Sequence, residues 1–320
     1  MSEKDLVGYY TSRYSGEEID RMLAGFSNPN LLDNWYFVGG GSQQGGGQFP
    51  INQRGQTEYV GGPESWRSIY VFDRWICNGT VTIMPDKVQC TADTYDCVFF
   101  QKIETSKFLN GQTYTISALF ANNTLIWATG TVNFPLQDYS LLFSSEYGDF
   151  SVRFGSAEAG IPIISIVSKI GSTVQIIAAK LELGPIQTLA HQDASGNWVL
   201  NDPPPNYQQE LAKCQRHQLI LGRNMNDVAG FFLGIQPNVA RVLVSTPVSM
   251  RANPTVTINN TRLVTVSPFT IYYFSGSPQY VYRTENNITI DLAVEGITQG
   301  DFGIFDFNTT EGILILDANL

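Results

Sequence analysis

The chain has few charged residues, few histidines and no long apolar run. Only 15% of its 320 residues are charged, and its two histidines are His191 and His217. Nowhere do about 18 apolar residues follow one another, so no membrane insertion is expected. The net charge of -10 is the opposite of what a sequence-independent nucleic-acid binder needs to displace counterions from phosphates. We therefore expect neither a membrane nor a nucleic acid as a partner.

Cysteine is also scarce, and the four cysteines follow no metal-binding spacing. Cys77, Cys90, Cys97 and Cys214 match no tetrahedral motif, so we expect no metal and no cofactor. The first residues contain no apolar segment of the signal-peptide kind, so the protein is expected to fold in a cytoplasm, where thiols stay reduced. A disulfide between Cys90 and Cys97 is the alternative, if the two residues face each other on neighbouring strands.

Catalytic motifs are missing as well. There is no Gly-x-Ser-x-Gly elbow and no His-Glu-x-x-His motif. Cys214 and His217 lie three residues apart, but nothing nearby in sequence supplies an oxyanion hole. The glycine-rich residues 39–48 lack the Lys-Ser/Thr of a phosphate-binding loop, which indicates a flexible surface loop or the rim of a binding site. We therefore expect that the protein is not an enzyme. The one enzyme class that the sequence leaves as an alternative is a glycan depolymerase that uses two carboxylates.

Residues that favour strands and turns are plentiful, and they predict an all-β fold. At this length about two domains are expected: a β-sandwich or jelly roll over residues 30–190 and a second, smaller β domain over residues 219–320. Apolar and polar residues alternate in several segments, as in strands buried on one face. The clearest predicted strands are residues 79–84, 97–103, 112–118, 174–182, 231–235, 241–244, 255–258, 288–292 and 313–318.

A short helix is predicted within residues 1–29. Ser15 and Glu18 form a capping box, and Gly25 marks the predicted end of the helix. An apolar stripe at helical spacing follows the cap and consists of Ile19, Met22, Leu23 and Phe26. So short a helix cannot bury its own stripe, so it docks either on the sandwich of its own chain or on other chains.

The linker over residues 191–218 is predicted to be stiff and to end in a second short helix. Three consecutive prolines at 203–205 favour an extended segment, and Asn206 with Gln209 forms the next capping pattern. Leu211 and Cys214 lie on one face of that helix together with Tyr207. That face is predicted to contact the sandwich or another subunit.

Several separated phrases resemble tail-fibre and receptor-binding proteins of bacteriophages that infect gut bacteria. They are YSGEEIDRML (14–23), NLLDNW (30–35), INQRG (51–55), FDRW (72–75), KLELG (180–184), NDPPPNYQQELAKCQR (201–216) and TPVSMRANPTV (246–256). The resemblance implies a galactose-binding-like sandwich followed by a distal β knob. It further implies a homotrimer in the virion, attached to tail or capsid proteins through its N-terminal region. The expected function is recognition of a glycan or protein on the host cell surface, and the alternative is a mainly structural decoration protein of the capsid or tail.

Aromatic residues are the candidates for ligand contact. In the sandwich, four aromatic residues lie in predicted loops, where they could stack on sugars: Trp66, Tyr70, Tyr95 and Trp127. The alternative is that these residues pack in the core or contact another subunit. Trp35 and Trp75 are predicted core residues, and Arg54, Asp73 and Arg74 are predicted to lock adjacent turns.

The second domain carries another aromatic cluster around the turn at residues 275–278. Its members are Tyr272, Tyr273, Phe274, Tyr280 and Tyr282, and Arg283 lies beside them. Tyrosine offers a large, rigid contact area with a polar tip, which suits a receptor site. The alternative is a hairpin that buries one aromatic face.

Overall fold

A computed structural model describes residues 27–39, 49–62, 68–222, 224, 226–274 and 277–319. Strands make up 49% and helix 5%, so the predicted all-β fold is confirmed. The predicted first helix, with Ile19, Met22, Leu23 and Phe26, lies outside the described residues. So does residue Trp66, together with most of the glycine-rich loop.

Two six-stranded antiparallel sheets form the first domain. Its strands are β1 (Glu58–Val60), β2 (Ile69–Tyr70), β3 (Trp75–Cys77), β4 (Thr80–Ile83), β5 (Val88–Thr91), β6 (Cys97–Lys102), β7 (Gln112–Phe120), β8 (Thr124–Val132), β9 (Leu141–Tyr147), β10 (Phe150–Ser156), β11 (Pro162–Ser168) and β12 (Thr173–Leu183). One sheet has the strand order β1-β4-β5-β12-β7-β8, and the other has the order β2-β3-β6-β11-β10-β9. Side chains of both sheets join in one apolar core, as in a β-sandwich.

Alternation along the strands produces that core. In β6 the odd-numbered residues, beginning with Cys97, are buried and the even-numbered ones are half-buried. At the centre the Trp75 and Phe99 rings stack with their centroids 4.4 Å apart, and the Phe37 ring meets both edge-on. Trp35 and Trp75 are both buried, which confirms their predicted place in the core.

The residues after the sandwich pack on it. Strands β13 (Ala190–Gln192) and β14 (Trp198–Leu200) form a hairpin whose Trp198 and Leu200 contact the first core. The Asp193 carboxylate closes the turn by accepting from the backbone N–H groups of Ser195 and Asn197, each at 2.8 Å. Helix α1 (Tyr207–Gln215) follows the prolines, and the side chain of Asn206 accepts from the backbone N–H of Gln209 at 3.1 Å, which confirms the predicted N-cap.

Two further antiparallel sheets form the second domain around a separate apolar core. Its strands are β15 (Gln218–Gly222), β16 (Val228–Gln236), β17 (Val239–Ser245), β18 (Thr255–Asn259), β19 (Thr261–Thr265), β20 (Ile271–Phe274), β21 (Tyr280–Arg283), β22 (Asn287–Ala293), β23 (Phe302–Phe307) and β24 (Ile313–Asp317). Three strands form a sheet in the order β15-β24-β18, and seven form one in the order β20-β19-β23-β16-β17-β22-β21. Each of the nine clearest predicted strands corresponds to an observed one. Among the described residues, no helix has the length and apolar character needed to cross a bilayer.

Candidate binding surfaces and the domain junction

The domains meet through a buried polar junction, and Arg74 stands at its centre. Its Nε donates to Asp33 at 3.2 Å and its Nη2 to the carbonyl of Lys102 at 2.7 Å. Its Nη1 donates to the side chain of Asn319 at 3.1 Å, and Asn319 follows the last strand of the second domain. Arg74 therefore locks neighbouring turns, as predicted, and also joins the two domains.

Gln53 makes a second connection across the junction. Its amide nitrogen donates to the Asp73 carboxylate at 3.0 Å and to the carbonyl of Gln218 at 2.9 Å. Asp73 also accepts from the backbone N–H of Gln53 at 2.8 Å. Burial raises the pKa of Asp73, and these donors oppose that rise.

Helix α1 packs on the sandwich of its own chain. Cys214 is fully buried against Phe49 and Ile51, and the half-buried Leu211 lies beside them. Glu210 is buried too, and its carboxylate accepts from the backbone N–H of Asn34 and from Lys213. The structure thus places Leu211 and Cys214 in a contact within the chain, which leaves this face of the helix covered.

The predicted ligand-contact aromatics of the sandwich differ in their exposure to solvent. The ring of Tyr70 lies at the junction with the Arg54 guanidinium 5.3 Å from its centroid, and burial raises its pKa to about 12. Trp127 is 47% exposed on β8. Tyr95 is 51% exposed in the turn before β6. Tyr95 and Trp127 can therefore receive a ligand, whereas Tyr70 is largely taken up by the junction.

Tyr95 stands at a shallow cleft of about 210 Å³ at one edge of the sandwich. The cleft is also lined by Val60, Asp93 and Thr94, and its floor includes Asn78. Asn78 is held rigidly, since its side chain donates to the carbonyl of Asp96 at 3.1 Å and accepts from the N–H of Val98 at 2.7 Å. An exposed aromatic ring beside hydroxyl and carboxylate groups can stack on a sugar and accept from its hydroxyls.

Three cysteine side chains lie in the core near this floor. The Sγ atoms of Cys77 and Cys97 are 3.2 Å apart, and Gly79 in the cleft donates its N–H to Cys77 Sγ. All four cysteines are free and buried, so the alternative disulfide between Cys90 and Cys97 is absent. Within the described part of the chain, no group of His, Cys, Asp or Glu has the arrangement of a metal site.

Several large apolar side chains are exposed on the outer face of the seven-stranded sheet. The pairing of β16, β17 and β23 places Phe231 beside Leu243 and Leu233 beside Phe302 on this face. All four are between 45% and 56% exposed. We call this surface the distal face; its exposed apolar and aromatic members are Val228, Phe231, Leu233, Leu243, Tyr273, Tyr280, Tyr282 and Phe302.

Three of the four predicted tyrosines lie at the two sides of the distal face. Tyr280 and Tyr282 are 60% and 50% exposed, and their rings lie 6.3 Å apart at one side. Tyr273 is 66% exposed at the other side, whereas Tyr272 packs against the second core. Arg283 donates to the carbonyl of Met250 and so anchors the end of β21.

Two arginine–aspartate pairs stiffen the distal face. Arg241 Nε donates to Asp291 at 2.7 Å, and Arg262 Nε donates to Asp306 at 2.7 Å. Each pair is bidentate, a geometry that holds both side chains in place. The face therefore presents a rigid surface in which apolar side chains alternate with paired charges.

No protein-family model matches this chain, and no curated protein matches it. The interpretation of the binding surfaces therefore rests on the chain's own residues. Sequence reasoning identified the exposed tyrosines of the distal face. It missed Phe231, Leu233 and Phe302, because the buried residues next to Phe231 and Leu233 are apolar as well and no alternation of apolar and polar residues marks the exposed side.

Proposed function

We propose that this chain is a receptor-binding protein of a bacteriophage particle, of the tail-fibre type, that binds a glycan or protein on the host cell surface without catalysis. The distal face is the observation that carries this proposal. Eight apolar or aromatic side chains on β16, β17, β20, β21 and β23 are each 45% or more exposed on this one sheet face. Large apolar side chains gathered on one face are typical of a surface that binds something.

The composition of the distal face supports recognition. Tyr273, Tyr280 and Tyr282 combine a flat apolar ring with a hydroxyl group, the combination that paratopes use. The cleft at Tyr95 offers a second, smaller contact for a sugar.

The proposed partners follow from the resemblance. The N-terminal region would attach to other virion proteins of the tail or capsid, and the chain would act as a homotrimer. The alternative function is a decoration protein of the capsid or tail with a structural role. The apolar centre of the distal face, with Phe231, Leu233 and Leu243, favours that alternative because it suits permanent burial against neighbouring chains.

A binding assay distinguishes the two functions. Labelled protein should bind host cells or isolated envelope glycans, and the double variant Tyr280→Ser, Tyr282→Ser should bind at least about tenfold more weakly, because such aromatic anchors carry most of the binding energy. Tyr147→Ser is the matched control, since Tyr147 is 60% exposed on β9 of the first domain. Absence of binding, together with full burial of the chain inside the particle, would favour the decoration function.

The oligomeric state is tested separately by light scattering. A trimer is expected at about three times the chain mass of 35.5 kDa. If the apolar centre of the distal face contributes to the contact between chains, Leu243→Lys should shift the protein towards monomer, and Leu141→Lys on β9, 61% exposed, should not. A monomeric wild-type chain would contradict the trimer.

A further inference from the structure

The thiols of Cys77 and Cys97 are in contact inside the sandwich. Their Sγ atoms lie 3.2 Å apart, so a bond between them requires a shortening of only about 1 Å. Cys77 ends β3 and Cys97 begins β6, and these two strands pair in the same sheet. The two cysteines are therefore held by elements that are themselves hydrogen-bonded to each other.

Asn78 fixes the backbone on both sides of Cys97. It follows Cys77 in the chain, and its side chain donates to the carbonyl of Asp96 at 3.1 Å. The same side chain accepts from the backbone N–H of Val98 at 2.7 Å. Asp96 and Val98 are the two chain neighbours of Cys97, so these bonds hold the two thiols opposite each other. Groups held in this way react as an intramolecular pair at a high effective concentration.

Gly79 lies directly over the Cys97 thiol. A Cβ atom at residue 79 would come within 2.6 Å of the Cys97 Sγ, so only glycine fits here without a shift. The N–H of Gly79 also donates to the Sγ of Cys77 at 3.3 Å. Because Gly79 lines the cleft at Tyr95, a single layer of backbone separates the cleft from the two thiols.

Cys90 is the third thiol of the group, and it lies on the facing sheet, where β5 pairs with β4 and β12. Burial raises the pKa of Cys90 well above its ordinary value, which keeps it protonated. Hydrogen bonds from the thiols of Cys77 and Cys90 lower the pKa of Cys97 in spite of its burial. A lowered pKa favours the thiolate, the form that attacks a disulfide. Cys97 is therefore the attacking group of the three.

A packing role explains part of this arrangement, because a free cysteine fills a core as a small apolar residue. That role requires neither a contact between two thiols nor hydrogen bonds that hold the chain on both sides of one of them. An arrangement ready for a covalent bond requires both.

We propose that Cys77 and Cys97 form a disulfide bond when the protein meets a low-molecular-weight disulfide such as oxidised glutathione, and that this bond closes the ring of chain that carries the cleft at Tyr95. The Cys97 thiolate attacks one sulfur of the small disulfide and releases one small thiolate. The Cys77 sulfur then attacks the Cys97 Sγ of the mixed disulfide, and the second small thiolate leaves. The two thiolates take up the protons that the two cysteines lose, so one disulfide is reduced as the other forms.

The small disulfide reaches these buried thiols while the chain folds or while a strand end opens. Cys77 and Cys97 are 0% and 1% exposed in the closed state. Cys77 is the last residue of β3, a strand of three residues, and such a strand end opens at a lower free energy than the whole domain. The cytoplasm keeps thiols reduced and extracellular surroundings are oxidising, so the bond is expected after release from the cell.

The bond would act on the cleft, because most of the cleft lies within the ring from residue 77 to residue 97. Its lining residues in this ring are Asn78, Gly79, Thr80, Asp93, Thr94 and Tyr95. A cross-link at the base of the ring removes conformations in which these two walls separate. Recognition of a glycan by the cleft rests on the proposed function, whereas the bond itself does not.

Oxidative refolding of the full chain tests the bond. The reduced, denatured chain is refolded in a glutathione redox buffer, and in a second arm the native chain is incubated with oxidised glutathione. Of the four cysteines, only Cys90 and Cys214 should remain free. Mass spectrometry of a non-reduced digest should find a peptide that links Cys77 to Cys97. Four free thiols in both arms, or a link from Cys97 to Cys90, would overturn the proposal.

Two variants separate the parts of the argument. Cys90→Ala should still form the link, because Cys90 takes no part in the bond. Asn78→Ala loses the hydrogen bonds on both sides of Cys97 and should form the link at least about tenfold more slowly. Asn122→Ala, at an exposed position between β7 and β8, is the matched control and should react as the wild type does. An unchanged rate in Asn78→Ala would overturn the role given to Asn78.

Amide hydrogen exchange measures the effect of the bond on the cleft. In the oxidised chain, the N–H groups of residues 93–95 should exchange at least about tenfold more slowly than in the reduced chain. Cys77→Ala cannot form the bond and should show the same exchange before and after oxidation. Equal exchange in the two states of the wild type would contradict the effect on the cleft. Either result leaves the tyrosine variants of the distal face to decide the proposed function by cell binding.

Discussion

Lys180 is a fully buried lysine in the phrase KLELG at the end of the sandwich. Its Nζ lies 3.1 Å from Asp202 and 3.9 Å from the equally buried Glu182, and it donates to Thr188 Oγ1 at 3.1 Å. Asp202 belongs to the linker, so the last strand of the sandwich holds the linker through this ion cluster. The charged residues of KLELG are thus structural.

Replacing Lys180 tests this role. Lys180→Ala leaves Glu182 and Asp202 without their cation and should lower the free energy of unfolding by about 3–5 kcal/mol. Lys169→Ala is the control, since Lys169 is 47% exposed and pairs with Glu146 only at 3.9 Å; it should cost less than about 1 kcal/mol. Urea denaturation measures both. Equal losses in the two variants would show that the buried cluster contributes little.

His217 makes stability depend on pH. Its folded pKa is lowered to about 3, chiefly by burial, whereas the unfolded ring takes up a proton near pH 6.5. Between these values the unfolded state binds more protons, so stability falls as the pH falls, by on the order of 4 kcal/mol at pH 3. Burial raises the pKa of Asp33, but Lys107 and Arg74 lower it by more, so the pKa lies below its usual value. Asp33 therefore adds to the loss of stability only at lower pH.

Thermal unfolding between pH 7 and pH 4 measures this contribution. His217→Asn should flatten the dependence of the melting temperature on pH, because asparagine takes up no proton in this range. His191→Asn removes the other histidine, which is half-buried and hydrogen-bonded to Asn201, and should leave the dependence in place. A wild-type melting temperature that does not change over this range would contradict the assignment.

At the scale of elements, helix α1 has nine residues and is too short to be stable alone. Its N-cap and the packing of Leu211 and Cys214 on Phe49 and Ile51 hold it in place. Asn206→Ala should lower the free energy of unfolding by about 1 kcal/mol, whereas Asn206→Asp keeps the cap and should cost almost nothing. Chemical denaturation measures the free energy of unfolding of both variants. An equal loss in Asn206→Ala and Asn206→Asp would show that the N-cap hydrogen bond does not stabilise the helix.

Strands such as β6, β17 and β18 were predictable because one face of the strand is buried and the other is more exposed. Such a strand shows in the sequence as side chains that alternate with a period of two. The distal face was only partly predictable. Phe231 and Leu233 are as apolar as the buried Phe232 between them, so composition does not reveal which side is exposed. Only the packing of β16 on the second core decides that Phe232 points inward.

At the scale of the whole molecule, four segments that lie far apart in the sequence meet in space. Residues 30–35, 51–55, 72–75 and 201–216 all contribute to the junction, through Asp33, Asn34, Gln53, Arg74 and Glu210. These segments are separated along the chain by up to about 180 residues. Their spacing in the sequence therefore does not predict that they lie close together in the fold.

The junction should make the two domains unfold together. Scanning calorimetry of the wild type should show one transition, because buried bonds from Gln53 and Arg74 cross between the domains. Arg74→Ala should cost roughly 3 kcal/mol and separate the transitions, since it leaves Asp33 with one fewer cation. Arg241→Ala on the distal face, whose side chain is 45% exposed, is the control and should keep one transition. Two transitions in the wild type would contradict this coupling.

The sequence by itself determined the all-β class, nine of the strands, the capped helix α1 and the burial of Trp35 and Trp75. Each of these follows from a local pattern, either side-chain alternation or capping, that neighbouring residues specify. Only the tertiary structure decided that Leu211 and Cys214 face their own sandwich, that the distal tyrosines border an apolar face, and that Cys77 contacts Cys97. These depend on which distant segments pack together, and packing is a property of the whole chain.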